Sequence, residues 1–155
     1  MTTRLATAAD HETVVACVRA AYTPYIAEIG VAPAPLQDDY AEHIARGRVW
    51  LAVCSNDEVA GLMVILIEDE HLLIDNYAVR PEWQNRGISK LLTTIAEQAA
   101  RRHGLGKLRL YTNAKMTKNL ALYRRRGWVE VERRTEHGFD RVYMERSLPP
   151  DEGWP

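Results

Sequence analysis

The chain has 155 residues, 46% apolar and 26% charged, which suits one globular domain with its own core. Its formal net charge of −1 excludes a strong nucleic-acid or membrane-surface field. The longest apolar run, Val59 to Ile67, is too short to cross a bilayer, and the N-terminus leads into no long apolar stretch, so no secretory signal and a cytoplasmic location are expected.

Thr3 to Ala6 reads as a short strand. Thr7-Ala8-Ala9-Asp10 has capping-box spacing, with Asp in place of the commoner Glu, and opens a helix that buries Val14, Val18 and Tyr22. Pro24 ends or kinks that helix, and Gly30, Pro33 and Pro35 interrupt the segment that follows. Leu36 to Arg46 reads as one short helix with Leu36, Tyr40 and Ile44 on one face. Arg48 to Ser55 alternates as a strand, Ser55-Asn56-Asp57 is a turn, and Glu58 to Ile67 is a longer strand. Cys17 and Cys54 have no metal or redox spacing and read as buried thiols. His11, His43, His71, His103 and His137 include no pair one helical turn apart, so no metal site is expected.

Leu72 to Val79 is a buried strand by length and β-rich content, stopped by Pro81, and it closes an antiparallel meander of three strands. Gln84-Asn85-Arg86-Gly87-Ile88-Ser89 then opens an amphipathic helix, with Ile88, Leu91, Leu92, Ile95, Ala96 and Ala99 on its apolar face. A helix starting near Arg86 leaves its first N–H groups without intrahelical partners, and the positive end of its dipole suits a pyrophosphate. By spacing alone, Gly87 and Ser89 are as well explained by close strand–helix packing. Neither a Walker A loop nor a Gly-x-Gly-x-x-Gly loop is present. Lys107 to Thr112 follows as a strand parallel to the central one. Thr117 to Arg126 is a helix ended by Gly127, and Trp128 to Arg134 and Phe139 to Ser147 form a hairpin. A single domain over 1–148 and an extended or frayed tail over 149–155 are expected.

Two segments carry a family resemblance. Gln84-x-x-Gly87-x-Ser89 resembles the Q/R-x-x-G-x-G/A signature of the GNAT superfamily of N-acetyltransferases, with Ser89 where Gly or Ala is usual, and Asn76-Tyr77-Ala78-Val79-x-Pro81 resembles the strand before it. Asn119 to Trp128 resembles the family's N-x-x-x-Y-x-x-x-G-F segment, with Trp128 in the Phe place. The element order covers nearly the whole chain. The resemblance implies an α/β GNAT fold: a mixed, mostly antiparallel sheet of about seven strands, flanked by about four helices, with two central parallel strands splayed apart. It implies acetyl-CoA as cosubstrate, no metal, and transfer of the acetyl group to a primary amine of a small molecule or peptide by direct attack on the thioester. No nucleic acid or membrane partner is expected, and a homodimer is left open.

Residue by residue, the resemblance places cofactor contacts at Ala78 and Val79 (backbone), at Gln84, Asn85, Arg86, Gly87, Ile88 and Ser89, and at Asn119. Asn113 is a further cofactor candidate whose alternative role is a turn. A strand bulge is expected at Asn76-Tyr77. Tyr123 is the implied acid for the departing thiolate, against the alternative that it packs in the core. The chemistry is sound, since a phenol of pKa ~10 keeps its proton where a thiolate of pKa ~8.5 can take it. The base is open between Asp75, the one acid of the central strand, and Glu28; both also have ordinary structural readings. Tyr22 to Tyr40 holds Tyr22, Tyr25, Tyr40, Glu28, Asp38 and Asp39 with no Lys or Arg, which suits a cationic amine. The Arg124-Arg125-Arg126 run reads as a solvated face or as a phosphate attractant. The competing function classes are a non-catalytic acyl-CoA-binding or regulatory domain and a nucleotide-binding structural module.

Overall fold

A computed structural model describes residues 1–149 of the chain. The tail expected from position 149 lies, past Pro149, outside the described residues. Seven strands form one sheet: β1 (Thr2–Leu5), β2 (Val49–Val53), β3 (Val59–Ile67), β4 (Leu72–Val79), β5 (Lys107–Asn113), β6 (Val129–Glu136) and β7 (Phe139–Ser147). Their order is β1-β2-β3-β4-β5-β7-β6. Every neighbouring pair is antiparallel except β4 and β5, which run parallel, as the intervening helix requires. Four helices flank the sheet, α1 (His11–Tyr22), α3 (Tyr40–Ala45), α4 (Ile88–Arg102) and α5 (Thr117–Arg125), with one further turn of helix, α2 (Ile26–Ile29).

The apolar periodicities bury two cores, one on each sheet face. Val14, Cys17, Val18 and Ala21 of α1 pack with Tyr40 and Ile44 of α3 on Leu51, Leu62 and Val64. On the other face, Leu92, Ala96, Ala99 and Ala100 of α4 pack on Met63, Leu72, Ile74 and Leu108, and Leu120 of α5 joins them. Burying one such leucine contributes about 1.5–3 kcal/mol. Leu92 is fully buried, so Leu92→Ala would cost about 2–5 kcal/mol.

Local chemistry moves three boundaries from their predicted places. The helix predicted over Leu36 to Arg46 is split: Ala34–Gln37 is a short 3₁₀ turn, Asp38 is extended, and α3 starts at Tyr40 because the Asp39 side chain accepts from Glu42 N at 3.1 Å. Helix α4 starts at Ile88 rather than near Arg86, since Asn85 and Gly87 are both left-handed, with φ of 61° and 80°. The last hairpin turns on His137 and Gly138, at φ 51° and 80°, which lets β6 run on to Glu136.

One irregularity positions the site. Val64 pairs with Asn76 and Ile65 with Ile74, so Asp75 is the extra residue of a β-bulge, one position before the predicted Asn76-Tyr77. Strict alternation would put Leu72, Ile74, Asn76 and Ala78 on one face. The bulge instead leaves Leu72 and Ile74 on the α4 face and turns Asn76 and Ala78 to the α1 face. Pairing of β4 with β5 runs only from Leu72–Leu108 to Ile74–Leu110 and stops at the bulge. Beyond it the two parallel strands separate, as expected.

Candidate active site

A cleft of about 680 Å³ opens where β4 and β5 part. One half of it is built by the turn before α4 and by α5. Gln84, Asn85, Gly87, Ile88 and Ser89 line it. Helix α4 presents the N–H groups of its first turn there, and Gly87 O already accepts from Leu91 N at 3.0 Å. A Cβ on Gly87 would meet no atom within 4 Å, so the glycine answers to its left-handed backbone and to open space, not to helix–strand packing. Arg126 also lines the cleft, and its Nη1 donates to Ser89 Oγ at 3.1 Å, across from the end of α5 to the start of α4. That contact uses the residue at which the signature departs from the usual Gly or Ala.

Backbone parity decides which peptide groups of β4 reach the cleft. Arg80 N donates to Ala60 O at 3.0 Å, and hydrogen-bonded pairs alternate along an antiparallel ladder. Ala78 and Asn76 therefore turn their peptide groups to β3, while Tyr77 and Val79 turn theirs to the cleft. Val79 O accepts from Gln84 Nε2 at 3.3 Å and Tyr77 O from the Tyr22 hydroxyl at 2.6 Å. The Val79 N–H faces the gap that β5 has vacated.

Tyr123 and Asn119 sit one turn apart on α5 and both line the cleft. The Asn119 side chain makes no hydrogen bond among the described residues. The Tyr123 ring stands edge-on to Trp128 at 6.1 Å, and its hydroxyl is pushed up to about 12, chiefly by burial.

The other half of the cleft is walled by Tyr22, Tyr25 and Ile29, by the Pro33–Pro35 segment, and by Asp75 and Tyr111. A buried chain of hydrogen bonds ties this wall to the sheet. Asn76 Nδ2 donates to the Tyr40 hydroxyl at 2.8 Å, and that hydroxyl donates to Pro35 O at 2.7 Å. Asn76 Oδ1 and Tyr77 O both lie within reach of the Tyr22 hydroxyl, so both ends of the buried Asn76 amide have partners. Asp75 accepts from the Tyr111 hydroxyl at 2.7 Å. Burial raises the Asp75 carboxyl above its ordinary range, while the Tyr111 hydrogen bond acts in the opposite direction. Asp38, His43 and Asp75 bring one donor atom each within 4.8 Å of one another, a grouping that spacing along the chain cannot show. Within it Asp38 Oδ2 and His43 Nε2 are hydrogen-bonded at 2.8 Å.

The model of the Acetyltransferase (GNAT) family matches residues 15–128, most of the chain. The chain belongs to the GNAT acetyltransferase family. Among solved structures, the paia N-acetyltransferase of Thermoplasma acidophilum, in complex with coenzyme A, is 18% identical and superposes with a TM-score of 0.77 over 95% of this chain and 98% of that one. A GNAT acetyltransferase of Elizabethkingia anophelis with acetyl-CoA bound is 26% identical, with a TM-score of 0.58 over 70% of this chain and 81% of that one. Nourseothricin acetyltransferase is 24% identical with a TM-score of 0.60, and the match spans 65% of each chain. No curated protein sequence matches.

For this GNAT protein the structure gathers Tyr123, Asn119, Asn113, Val79, Asp75, Gln84, Asn85, Gly87, Ile88 and Ser89 around one cleft. Three candidates stand apart from it. Ala78 is fully buried toward α1, and Arg86 is exposed, with its guanidinium 5.0 Å from the centre of the Trp83 ring. Glu28 is exposed on α2 and lines neither cavity. Asn113 lines the cleft and also fills its alternative role, since its Oδ1 accepts from Lys115 N at 2.9 Å in the turn after β5. Sequence reasoning missed Tyr111 and Arg141, which line the Asp75 half of the cleft from β5 and β7. Tyr111 carried a usable signal, alternating with Leu108 and Leu110 on the strand next to Asp75; Arg141 carried none. Among the described residues no helix is long and apolar enough to cross a membrane.

Proposed function

We propose that the protein transfers the acetyl group of acetyl-CoA to a primary amine. The observation that carries this reading is the opening of β4 from β5 at the Asp75 bulge, with a base candidate on one wall and a phenol on the other. The pyrophosphate lies on the first turn of α4 and beside Arg126. The pantetheine arm runs along β4, where the Val79 N–H replaces a lost ladder bond and the free amide of Asn119 faces it from α5. The thioester then sits between Asp75 and Tyr123.

The amine nitrogen adds its lone pair to the thioester carbonyl carbon, forming the C–N bond. Asp75, raised by burial, takes the proton that this nitrogen must lose. The tetrahedral intermediate collapses with cleavage of C–S, and the departing sulfur takes the Tyr123 proton. Tyr123 suits that step because burial keeps its hydroxyl protonated throughout the neutral range. Solvent returns the proton from Asp75 to the Tyr123 oxygen, and the products are an amide and coenzyme A.

Two measurements test the reading. Calorimetry should give saturable binding of acetyl-CoA, and thiol release should appear when amines are added. Binding without thiol release across a broad amine panel would reduce the protein to an acyl-CoA-binding domain. No binding would remove the cofactor reading altogether.

A further inference from the structure

The acceptor half of the cleft holds a cation as well as acids. Arg141 of β7 lines the main cleft and also a cavity of about 330 Å³ that adjoins it. Asp75, Tyr111 and Phe139 line both cavities with it, and Asp38 lines the smaller one. The topology explains the placement: β7 pairs with β5, with Asn113 opposite Arg141 and Tyr111 opposite Tyr143. The Arg141 guanidinium lies 4.3 Å from the centre of the Tyr111 ring, whose hydroxyl holds Asp75. A single tyrosine thus stands between a guanidinium and a carboxylate. The two charges are near but not paired, since no ion pair of Asp75 within 4.0 Å is found among the described residues.

Arg141 lacks the short carboxylate contact that Arg109 and Arg134 have. Its side chain is only 13% exposed, yet its nearest carboxylate contact is 3.6 Å, to Glu136 Oε2. By geometry Arg141 makes no close side-chain hydrogen bond among the described residues, though it lies near enough to the Tyr143 hydroxyl to lower its pKa. Glu136 is meanwhile engaged by the Tyr143 hydroxyl at 2.6 Å. Other arginines on this sheet face donate directly to carboxylates: Arg109 Nη2 to Glu132 at 2.6 Å and Arg134 Nη2 to the same carboxylate at 2.7 Å. A guanidinium that lines the cleft and has only the long ion pair to Glu136 is a receptor for a carboxylate, which it can grip with two parallel hydrogen bonds.

We infer that the acceptor is a free amino acid with an apolar side chain, its carboxylate held by Arg141 and its amine facing Asp75. The inference rests on the acetyltransferase reading and names the substrate class of that site. A zwitterion meets both charges at once, its two charged groups being separated by one carbon. The apolar side chain finds Ile29, Pro33, Pro35 and Phe139 on the surrounding walls. A polyamine or aminoglycoside would instead bring a second cation against Arg141, where like charge opposes it.

The test uses the full chain with acetyl-CoA and pairs of acceptors, each an apolar or aromatic amino acid and its carboxamide, followed by thiol release. The quantity read is the acid-to-amide ratio of kcat/KM, compared between wild type and Arg141→Gln, so that differences in amine basicity cancel. The ratio should fall by about 10–100-fold in Arg141→Gln, mainly through KM of the acid, and Arg141→Lys should recover part of it. If Arg141→Gln does not fold, as judged by thermal unfolding, Arg141→Lys alone should lower the ratio, because its ammonium lacks the fork. A ratio equal in wild type and variants overturns the inference while leaving the acetyltransferase reading in place. Absence of turnover with any amine overturns both.

Discussion

The Tyr111 hydroxyl donates to Asp75 Oδ1 at 2.7 Å across the gap where β4 leaves β5. It fixes the one carboxylate of the central strand and partly offsets the cost of burying it. Net, the carboxyl stays raised above its ordinary value of 3.8. A raised carboxyl keeps its proton in the folded state where the unfolded chain has released it. Its contribution to stability is therefore full below 3.8 and is lost as pH rises through the folded value. Asp75→Asn should remove that loss. Thermal unfolding followed across about pH 4 to 8 should show the variant gaining on wild type as pH rises, while turnover falls by about 10²–10⁴-fold. Parallel unfolding curves with full activity would return Asp75 to a structural role.

Tyr111→Phe tests the same pair from the other side. Without the donor, the largest influence opposing burial is gone, only the charges of His43 and Arg141 still act against it, and Asp75 rises further. The acid limb of kcat/KM should move to higher pH, with the plateau rate little reduced. An unmoved limb would mean that the ionisation read in that limb is not that of Asp75.

Tyr123→Phe keeps the ring against Trp128 and removes only the proton. Single-turnover rates should fall by about 10²–10⁴-fold, with acetyl-CoA affinity within about twofold of wild type. Because burial holds the hydroxyl near 12, the wild-type rate should show no alkaline loss from this group through about pH 10. A wild-type single-turnover rate in the variant would leave Tyr123 as a packing residue.

Much of this architecture is legible in the residues. The run Leu72 to Val79, the stop at Pro81 and the three-four spacing from Ile88 to Ala99 give strand, break and helix directly, because each period maps onto one buried face. The bulge is legible only to within one residue. Burial along β4 alternates without interruption from Leu72 to Val79, so the change of face at Asp75 leaves no mark in the pattern. Glu28 and Arg141 show the same limit in opposite directions. Glu28 lies in the right segment but on the outer side of a one-turn helix, and Arg141 lies 66 positions beyond Asp75 and reaches it only through the pairing of β7 with β5.

Gly61 links the core to the start of α4 and the end of β4. A Cβ there would meet Ala78 O and Ile88 Cγ2, each at 3.0 Å, and Val79 Cα at 3.3 Å. The carbonyl cannot rotate away without breaking the β3–β4 ladder, so the added methyl must push β4 or the start of α4. Gly61→Ala should cost about 1–3 kcal/mol in denaturant unfolding. It should also weaken coenzyme A binding, although Gly61 does not line the cleft. Lost stability with unchanged affinity would show that Ile88 yields by side-chain rotation alone.

Arg126 supplies the last prediction. Its neighbours in the arginine run behave differently: Arg124 pairs with Glu130 at 3.3 Å, whereas Arg126 reaches Ser89 Oγ beside the first turn of α4. Its guanidinium is exposed, so a phosphate contact made by it is screened by salt and modest in strength. Arg126→Ala should weaken coenzyme A binding by about 5–10-fold at low salt, and by less at high salt. Binding of a pantetheine derivative without phosphates should not change if that arm runs along β4 as proposed. Ser89→Ala should have a smaller effect of the same sign, since it releases Arg126 without removing its charge. Equal loss of coenzyme A and pantetheine binding in Arg126→Ala would mean that the arginine shapes the cleft wall and does not meet phosphate.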